Sequence, residues 1–357
     1  NYAPYGGPIE GIEAAAYTYL GKSANELSTA ESALLAVLPQ SPSRFRPDRY
    51  PERAKQARDK VLDRMLTFGV WDKYKVTQAK DDVVIAQYNS QPLIAPLLAR
   101  QLVLENPNKT IIQTNIDLDI QLTLADRVKD YLYRFSENTS ASAMLMDNQT
   151  LDVIAYVGAA DFANEKRYGH MDMNRAIRSP GSTLKPFIYA MAMDEALIHS
   201  QSLLQDVPQD FNSYSPENFT ENYSGPVSVT NALQQSLNIP AVQVLSHLGA
   251  ENFANKMTNA GLKLYLPTGA KHSLSLALGG AGVKLEELVA VYRALASNGL
   301  AGKPRYLLEA PIEERYLLSP ESAWITAEIL AAVPLQPRQK NPFLKKEKQW
   351  VAFKTGT

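Results

Sequence analysis

The sequence predicts an α+β fold, an antiparallel sheet with a cluster of helices, preceded by a helical first part and a small linker region. Three observations carry that expectation. Two short apolar runs, Ala143–Met146 and Val153–Val157, flank Asp147-Asn148-Gln149-Thr150, which is a hairpin signal. Residues 179–198 are apolar almost all round, as in a helix buried on every side. A last apolar segment, 350–354, reads as a strand, so strands stand at both ends of this part with helices between them.

The 357 residues suggest two or three domains, and the changes of pattern place them at 1–72, 73–139 and 140–357. In the first, residues 11–20 form an alanine-rich helix stopped by Gly21. Ser28-Thr29-Ala30-Glu31 is a capping box ahead of an apolar run that ends at Pro39. Pro39, Pro42, Pro47 and Pro51 mark a loop. The helix that starts near Pro51 sets Ala54, Ala57, Val61 and Met65 on one face and Arg53, Lys60 and Arg64 on another. That cationic face is either solvated or meets an anionic, lipid-linked substrate.

In the second region, 110–120 reads as a strand running into a helix over 119–134. In the third, residues 208–226 are rich in Asn, Ser, Tyr and Pro and form a loop long enough to suggest function. Its Tyr214, Phe219 and Tyr223 either line a cleft or pack the loop onto its own domain. A helix follows from about Thr230, further helices run to Asn298-Gly299, and a polar loop, 334–348, precedes the closing strand.

Composition narrows the function. Apolar residues make up 45%, enough for a sizeable core. A net charge of −1 argues against nucleic acid as a partner, because phosphate binding needs a basic excess. Without cysteine there is neither a disulfide framework nor a thiolate metal site. None of His170, His199, His247 and His272 stands at metal-ligand spacing to another, so no metal and no cofactor is expected. No apolar run approaches the roughly 20 residues of a membrane helix, and no signal peptide opens the chain. Both ends, Asn1 and Thr357, look cut, which leaves room for a membrane segment elsewhere in a longer parent.

Three short motifs carry the chemistry. Ser182-Thr183-Leu184-Lys185 occurs once, and so does Lys354-Thr355-Gly356. Ser236-Leu237-Asn238 is a weaker signal, since Ser23-Ala24-Asn25 and Ser136-Glu137-Asn138 share its pattern, but it alone falls between the other two. A serine hydroxyl is a poor nucleophile until a base takes its proton. Three residues on along a helix, an amine faces the same way, so Lys185 can serve Ser182. Burial and a second cation, Lys354, would lower its pKa to suit the task. Pro186 has no N–H for the carbonyl of Ser182, so Ser182 belongs to the exposed first turn. Gly181 lets a substrate backbone approach. An oxyanion hole is expected from the Ser182 N–H and a strand N–H near Thr357.

These motifs resemble the transpeptidase domain of bifunctional, class A penicillin-binding proteins, and they match the motif set of penicillin-recognising serine enzymes. The flanks, Arg178-Ser179-Pro180-Gly181 and Asn238-Ile239-Pro240-Ala241, are similar too. Gly11-Ile12-Glu13-Ala14-Ala15, Tyr19-Leu20-Gly21-Lys22, Leu38-Pro39-Gln40-Ser41-Pro42 and Pro51-Glu52-Arg53-Ala54 resemble the last third of a family-51 glycosyltransferase domain. The resemblance implies a penicillin-binding, serine β-lactamase-like transpeptidase fold over 140–357, incomplete at its C-terminal end. Residues 1–72 are then the end of the glycosyltransferase and 73–139 a linker.

It also implies roles. Ser182 forms the acyl-enzyme with a D-alanyl-D-alanine stem or a β-lactam, Lys185 is the general base, and Ser236 relays a proton to the leaving group. Asn238 orients the substrate amide and Lys185. Lys354 holds the substrate carboxylate, and Thr355, Gly356 and Thr357 complete the carboxylate and oxyanion side. The partners are peptidoglycan peptide stems, β-lactam antibiotics and, in an intact parent, a lipid-linked disaccharide. The implied place is the periplasmic face of the bacterial inner membrane, with a single-pass anchor outside this chain. The catalytic glutamates of the glycosyltransferase are expected upstream of Asn1, so no glycan polymerisation is expected from this chain. The family's domain runs past the Lys-Thr-Gly strand, so an unpaired sheet edge is expected here.

Other readings stay open at this point. A serine β-lactamase would need a water-activating glutamate, and Glu251, Glu286 and Glu287 fall in the right span. A D,D-carboxypeptidase differs only in passing the acyl group to water. A non-catalytic, wall-binding scaffold would have no use for Ser182, Lys185, Asn238 and Lys354 together. Arg167 and Arg175 carry no assignment.

Overall fold

A computed structural model describes residues 3–7, 9–88, 94–211, 214–218, 222–333 and 351–356. The chain divides into two compact units, residues 1–93 and 94–357.

The first unit opens on a short antiparallel pair, β1 (Pro4–Gly6) and β2 (Ile9–Glu10). Helices α1 (Ile12–Leu20), α2 (Thr29–Val37), α3 (Pro51–Thr67) and α4 (Lys73–Asp81) follow. The expected stops and starts hold. Gly21 ends α1 in the left-handed conformation, and Ser28 and Glu31 form both halves of the capping box of α2. Ala15, Ala16, Tyr19, Leu35 and Leu38 share one small core, where the Tyr19 hydroxyl donates to the Tyr5 carbonyl at 2.9 Å. Sequence periodicity missed Arg58. It is buried on α3, pairs with Asp59 and donates to the carbonyls of Lys80 and Asp82, fastening the end of α4.

The second unit begins with α5 (Pro96–Glu105) and α6 (Leu118–Leu132), then the hairpin β3 (Ala143–Met146) and β4 (Val153–Val157). The hairpin is antiparallel as predicted, and Asp147 Oδ1 closes its turn by accepting the N–H groups of Gln149 and Thr150. Residues 110–120 are not the strand the sequence suggests. They make one isolated bridge, Thr114 with Leu307, before Asp117 caps α6 through the Ile120 N–H. A ladder needs a continuous partner, and this stretch has only one residue of it. On the far side of the hairpin, Gln121 of α6 accepts the Tyr156 N–H and donates to the Tyr156 carbonyl, while the Asp117 N–H reaches the Ile154 carbonyl.

The larger core is helical. It gathers α7 (Lys185–Asp194), α8 (Val229–Gln234), α9 (Asn238–Leu248), α10 (Ala250–Asn259), α11 (Leu285–Ala296) and α12 (Pro320–Ala331). Two further antiparallel pairs, β5 (Leu203–Asp206) with β6 (Gly225–Ser228) and β7 (Leu300–Gly302) with β8 (Glu314–Tyr316), sit among them. As predicted, α7 is buried all round: every residue from Lys185 to Ala192 is enclosed. Phe187, Ile188 and Met191 each contribute about 1.5–3 kcal/mol of burial, which offsets the cost of enclosing Lys185.

The closing strand is a correction. Residues 351–356 carry no strand pairing, and Trp350 lies outside the described residues. Among the described residues β3 pairs only with β4. Met144 and Met146 of β3 line a cavity of about 620 Å³ together with Ala352, Phe353 and Lys354. A strand exists only where a neighbour takes its backbone groups, and here open space lies beside the segment instead. The loop 334–348 and Phe219 also lie outside the described residues. Tyr214 packs against the core and bridges Phe211, while Tyr223 is exposed.

Candidate active site

The site starts from a turn that proline shapes. Pro186 is the second residue of α7 and has no N–H for the Ser182 carbonyl, so the Lys185 N–H takes it instead. The result is a 3₁₀ turn, Gly181–Leu184, rather than the helical start expected at Ser182. Two outside contacts fix this turn. Ser179 Oγ donates to the Gly279 carbonyl at 2.9 Å and accepts the Gly181 N–H at 3.2 Å. A Cβ on Gly279, at φ +89°, would lie 2.5 Å from Ser179 Oγ and 2.6 Å from Gly181 N, so only glycine allows the approach. From α11, the Tyr292 hydroxyl donates to the Thr183 carbonyl at 2.7 Å, and its ring stands edge-on to Phe187.

Lys185 is fully buried, yet its ammonium is not bare. It donates to the Ser236 carbonyl at 2.7 Å, the Leu237 carbonyl at 3.0 Å and Asn238 Oδ1 at 2.6 Å. Burial first, and then the charge of Lys354, lowers its pKa from 10.5 to about 7. That makes a free amine available near neutrality. Ser236 sits in the left-handed region at φ 59°, a conformation that closes α8 and turns its carbonyl to Lys185. Leu237, where the family pattern allows aspartate, packs against the core instead of joining the polar cluster.

Lys354 completes the cluster. Its ammonium donates to Ser236 Oγ at 2.7 Å and to the Thr355 carbonyl at 2.8 Å. Burial lowers its pKa from 10.5 to about 8, so it stays largely charged at neutral pH. Gly356 passes beside the nucleophile turn. A Cβ there would meet the Pro180 carbonyl at 2.9 Å and Thr183 Cγ2 at 3.0 Å.

The structure therefore brings together Lys185, Ser236, Asn238 and Lys354, with the Ser182 turn bordered by Gly356. Ser182 is half-buried, and among the described residues its hydroxyl makes no side-chain hydrogen bond. The lysine amine is turned to Ser236, Leu237 and Asn238. Thr355 is exposed and lends its carbonyl to Lys354. Thr357, and with it the second expected oxyanion donor, lies outside the described residues.

The three glutamates of the β-lactamase reading are engaged elsewhere. Glu251 pairs with His272, Glu286 with Arg175 and the Tyr306 hydroxyl, and Glu287 accepts the Lys263 N–H. Arg175 thus has a structural partner, and Arg167 ties down the carbonyl of Thr139.

Two residues escaped the sequence analysis. The Glu217 carbonyl accepts Asn238 Nδ2 at 2.7 Å, and Asn218 Oδ1 accepts the Asn238 N–H at 2.9 Å. The one signal for them was the length of the polar loop that holds them.

The arrangement offers an alcohol on a braced turn, an amine with lowered pKa one turn along the chain, a second hydroxyl held by an ammonium, and a carboxamide. That is the equipment of acyl transfer through a covalent ester. Residues 141–357 match the family "Penicillin binding protein transpeptidase domain", and residues 1–66 match the family "Transglycosylase". The chain is 46% identical to penicillin-binding protein 1C of Escherichia coli over 359 residues, covering 100% of this chain and 46% of that one. It is 28% identical to penicillin-binding protein 1F of Bacillus subtilis over 332 residues, covering 86% and 44%. The chain thus spans about half the length of the curated relatives it matches. Among solved structures, penicillin-binding protein 1A of Haemophilus influenzae superimposes at a TM-score of 0.61 and 19% identity, over 93% of this chain and 71% of that one. PonA1 of Mycobacterium tuberculosis, solved with penicillin V, gives 0.55 at 17%, over 68% and 70%. At those identities the likeness shows the fold.

Proposed function

We propose that this chain, which belongs to the penicillin-binding protein transpeptidase family, carries the acyl-transfer site of peptidoglycan cross-linking, with Ser182 as nucleophile. The observation that carries the reading is the convergence of the three motifs. Lys185 reaches Ser236 and Asn238, Lys354 reaches Ser236, and Ser182 stands in the turn directly before Lys185.

The chemistry follows from the groups. The Lys185 amine takes the Ser182 proton as Oγ adds to the carbonyl carbon between the two D-alanines. The carbon–nitrogen bond breaks, and the leaving D-alanine nitrogen receives a proton through Ser236, whose hydroxyl Lys354 orients. The product is an ester on Ser182. Asn238 would face the substrate amide, while Lys354 and Thr355 meet its terminal carboxylate. An incoming amine completes a cross-link, and water would complete a carboxypeptidase cycle. A β-lactam would enter as a ring-closed mimic of the same amide, and its ester would persist.

On this reading residues 1–72 are the end of a glycosyltransferase domain, 73–139 a linker and 140–357 the transpeptidase domain. The lipid-linked disaccharide belongs to the parent enzyme. The site works on the periplasmic side of the inner membrane. None of the described helices is long and apolar enough to cross a membrane.

The test is mass spectrometry after exposure to a fluorescent penicillin. One adduct is expected, on the peptide that contains Ser182, and Ser182→Ala should abolish it. An adduct elsewhere, or none, would overturn the proposal.

A further inference from the structure

The loop between β5 and β6 has no part in the chemistry described so far, yet it holds the second motif in place. Asp206, at the end of β5, is fully buried, and among the described residues no cation pairs with it. Enclosing a lone carboxylate is costly unless hydrogen bonds replace its water. Among the described residues its two oxygens have one donor each. Asn218 Nδ2 lies 2.7 Å from Oδ1, and the Ser224 N–H lies 2.8 Å from Oδ2.

This pairing sets a direction. A carboxylate can only accept, so the carboxamide of Asn218, itself 5% exposed, must turn its nitrogen to Asp206. The same nitrogen also donates to the Asn222 carbonyl at 3.0 Å. The carboxamide oxygen is then forced to the other side, where it accepts the Asn238 N–H. That N–H opens α9 and has no partner inside its own helix, and Leu237, at the cap position, has no side chain to offer it. The neighbouring Glu217 carbonyl takes Asn238 Nδ2, which leaves Asn238 Oδ1 facing Lys185. Two consecutive loop residues thus fix both the backbone and the side chain of Asn238.

We propose that Asp206 and Asn218 are positioning residues for acylation, a hydrogen-bond relay that runs from a buried carboxylate through Asn218 to Asn238 and so to the Lys185 amine. The inference rests on the acyl-transfer reading of Ser182. Neither residue touches substrate. They act by holding the carboxamide that holds the base, and displacements of about an ångström at such a distance can cost on the order of a hundredfold in rate.

The relay is tested on the whole chain by the time course of labelling with a fluorescent penicillin at several concentrations. This separates the dissociation constant of the first encounter, the acylation rate constant and the labelled fraction. Asn218→Ala and Asp206→Asn are expected to lower the rate constant about tenfold to a hundredfold with the dissociation constant within about twofold. A merely structural role would lower the labelled fraction and leave the rate constant of the rest unchanged, which would overturn the proposal.

Asn218→Asp sets two carboxylates against each other. The double variant Asp206→Asn with Asn218→Asp exchanges donor and acceptor between the two side chains, forgoes the bond to the Asn222 carbonyl, and should acylate at least tenfold faster than Asn218→Asp alone, which keeps the test valid where Asn218→Ala fails to fold. Gln209→Ala, exposed on the same loop, should label like the unchanged chain. Wild-type rate constants in both Asn218→Ala and Asp206→Asn would end the relay and leave Ser182 as nucleophile. No label on Ser182 in the unchanged chain would end the acyl-transfer reading itself.

Discussion

The Lys354 ammonium donates to Ser236 Oγ across 2.7 Å, joining the last motif of the chain to the middle one. The contact has two effects. It orients the Ser236 hydroxyl, the proton relay in the function proposed above, and it brings a positive charge close enough to lower the pKa of Lys185.

Removing that charge should be visible twice. Lys354→Ala is expected to slow acylation on the order of a hundredfold, the usual cost of one organised donor. The acid limb of its pH profile should also move upward, because burial alone then lowers the Lys185 pKa. Pre-steady-state labelling between pH 5 and 9 checks both, and an unmoved limb would contradict the coupling.

The unchanged chain should show a narrow bell. Lys185 acts as a free amine, so acylation rises through pH of about 7. Lys354 acts as an ammonium, so the rate falls again above about 8. The acylation rate constant against pH is the measurement. A rate that climbs steadily to pH 10 would remove Lys354 from its role.

Stability should carry the same signature. The folded pKa of Lys185 is lowered, so between about 7 and 10.5 the unfolded chain binds more protons than the folded one. Stability therefore rises with pH across that window, and below about 7 the penalty is fully present. Lys185→Met removes this contribution. The gain of the unchanged chain over the variant should grow from pH 7 to 9, by at most about 1.4 kcal/mol per unit. Urea unfolding at three pH values measures it, and parallel curves would refute it.

The backbone at Ser236 allows a comparison of two losses. Both Ser236→Ala and Ser236→Gly delete the relay hydroxyl and should slow acylation alike. Only glycine relieves the left-handed conformation at φ 59°. The glycine variant should be the more stable of the two by roughly 0.5–1 kcal/mol, after its greater unfolded-state freedom is allowed for. Equal urea midpoints would show that the strain is absent.

What the sequence revealed follows the range of each interaction. The capping box of Ser28 and Glu31, the αL stop at Gly21 and the enclosed helix after Pro186 are written in a few neighbouring residues, and all were readable. The three motifs were readable because each is local, even though folding had to bring them together. Asp206 and Asn218 were not readable, because their meaning depends on Asn238, 20 residues further along the chain from Asn218 and on another element. Nothing local marked Arg58, whose burial depends on the carbonyls of Lys80 and Asp82 at the end of α4. Residues 110–120 and 350–354 have strand composition, but composition cannot supply the neighbour that makes a strand.

Gln121 has a consequence for growth of the hairpin. Its amide answers both the N–H and the carbonyl of Tyr156, and the Asp117 N–H answers Ile154, so one border of the β3–β4 pair is sealed by a helix. Among the described residues no strand pairs with the opposite border, along β3, and Met144, Leu145 and Met146 share a cavity with Ala352, Phe353 and Lys354. Among the described residues, extension of this small sheet is thereby one-sided, with β3 the border left for an added ribbon of backbone.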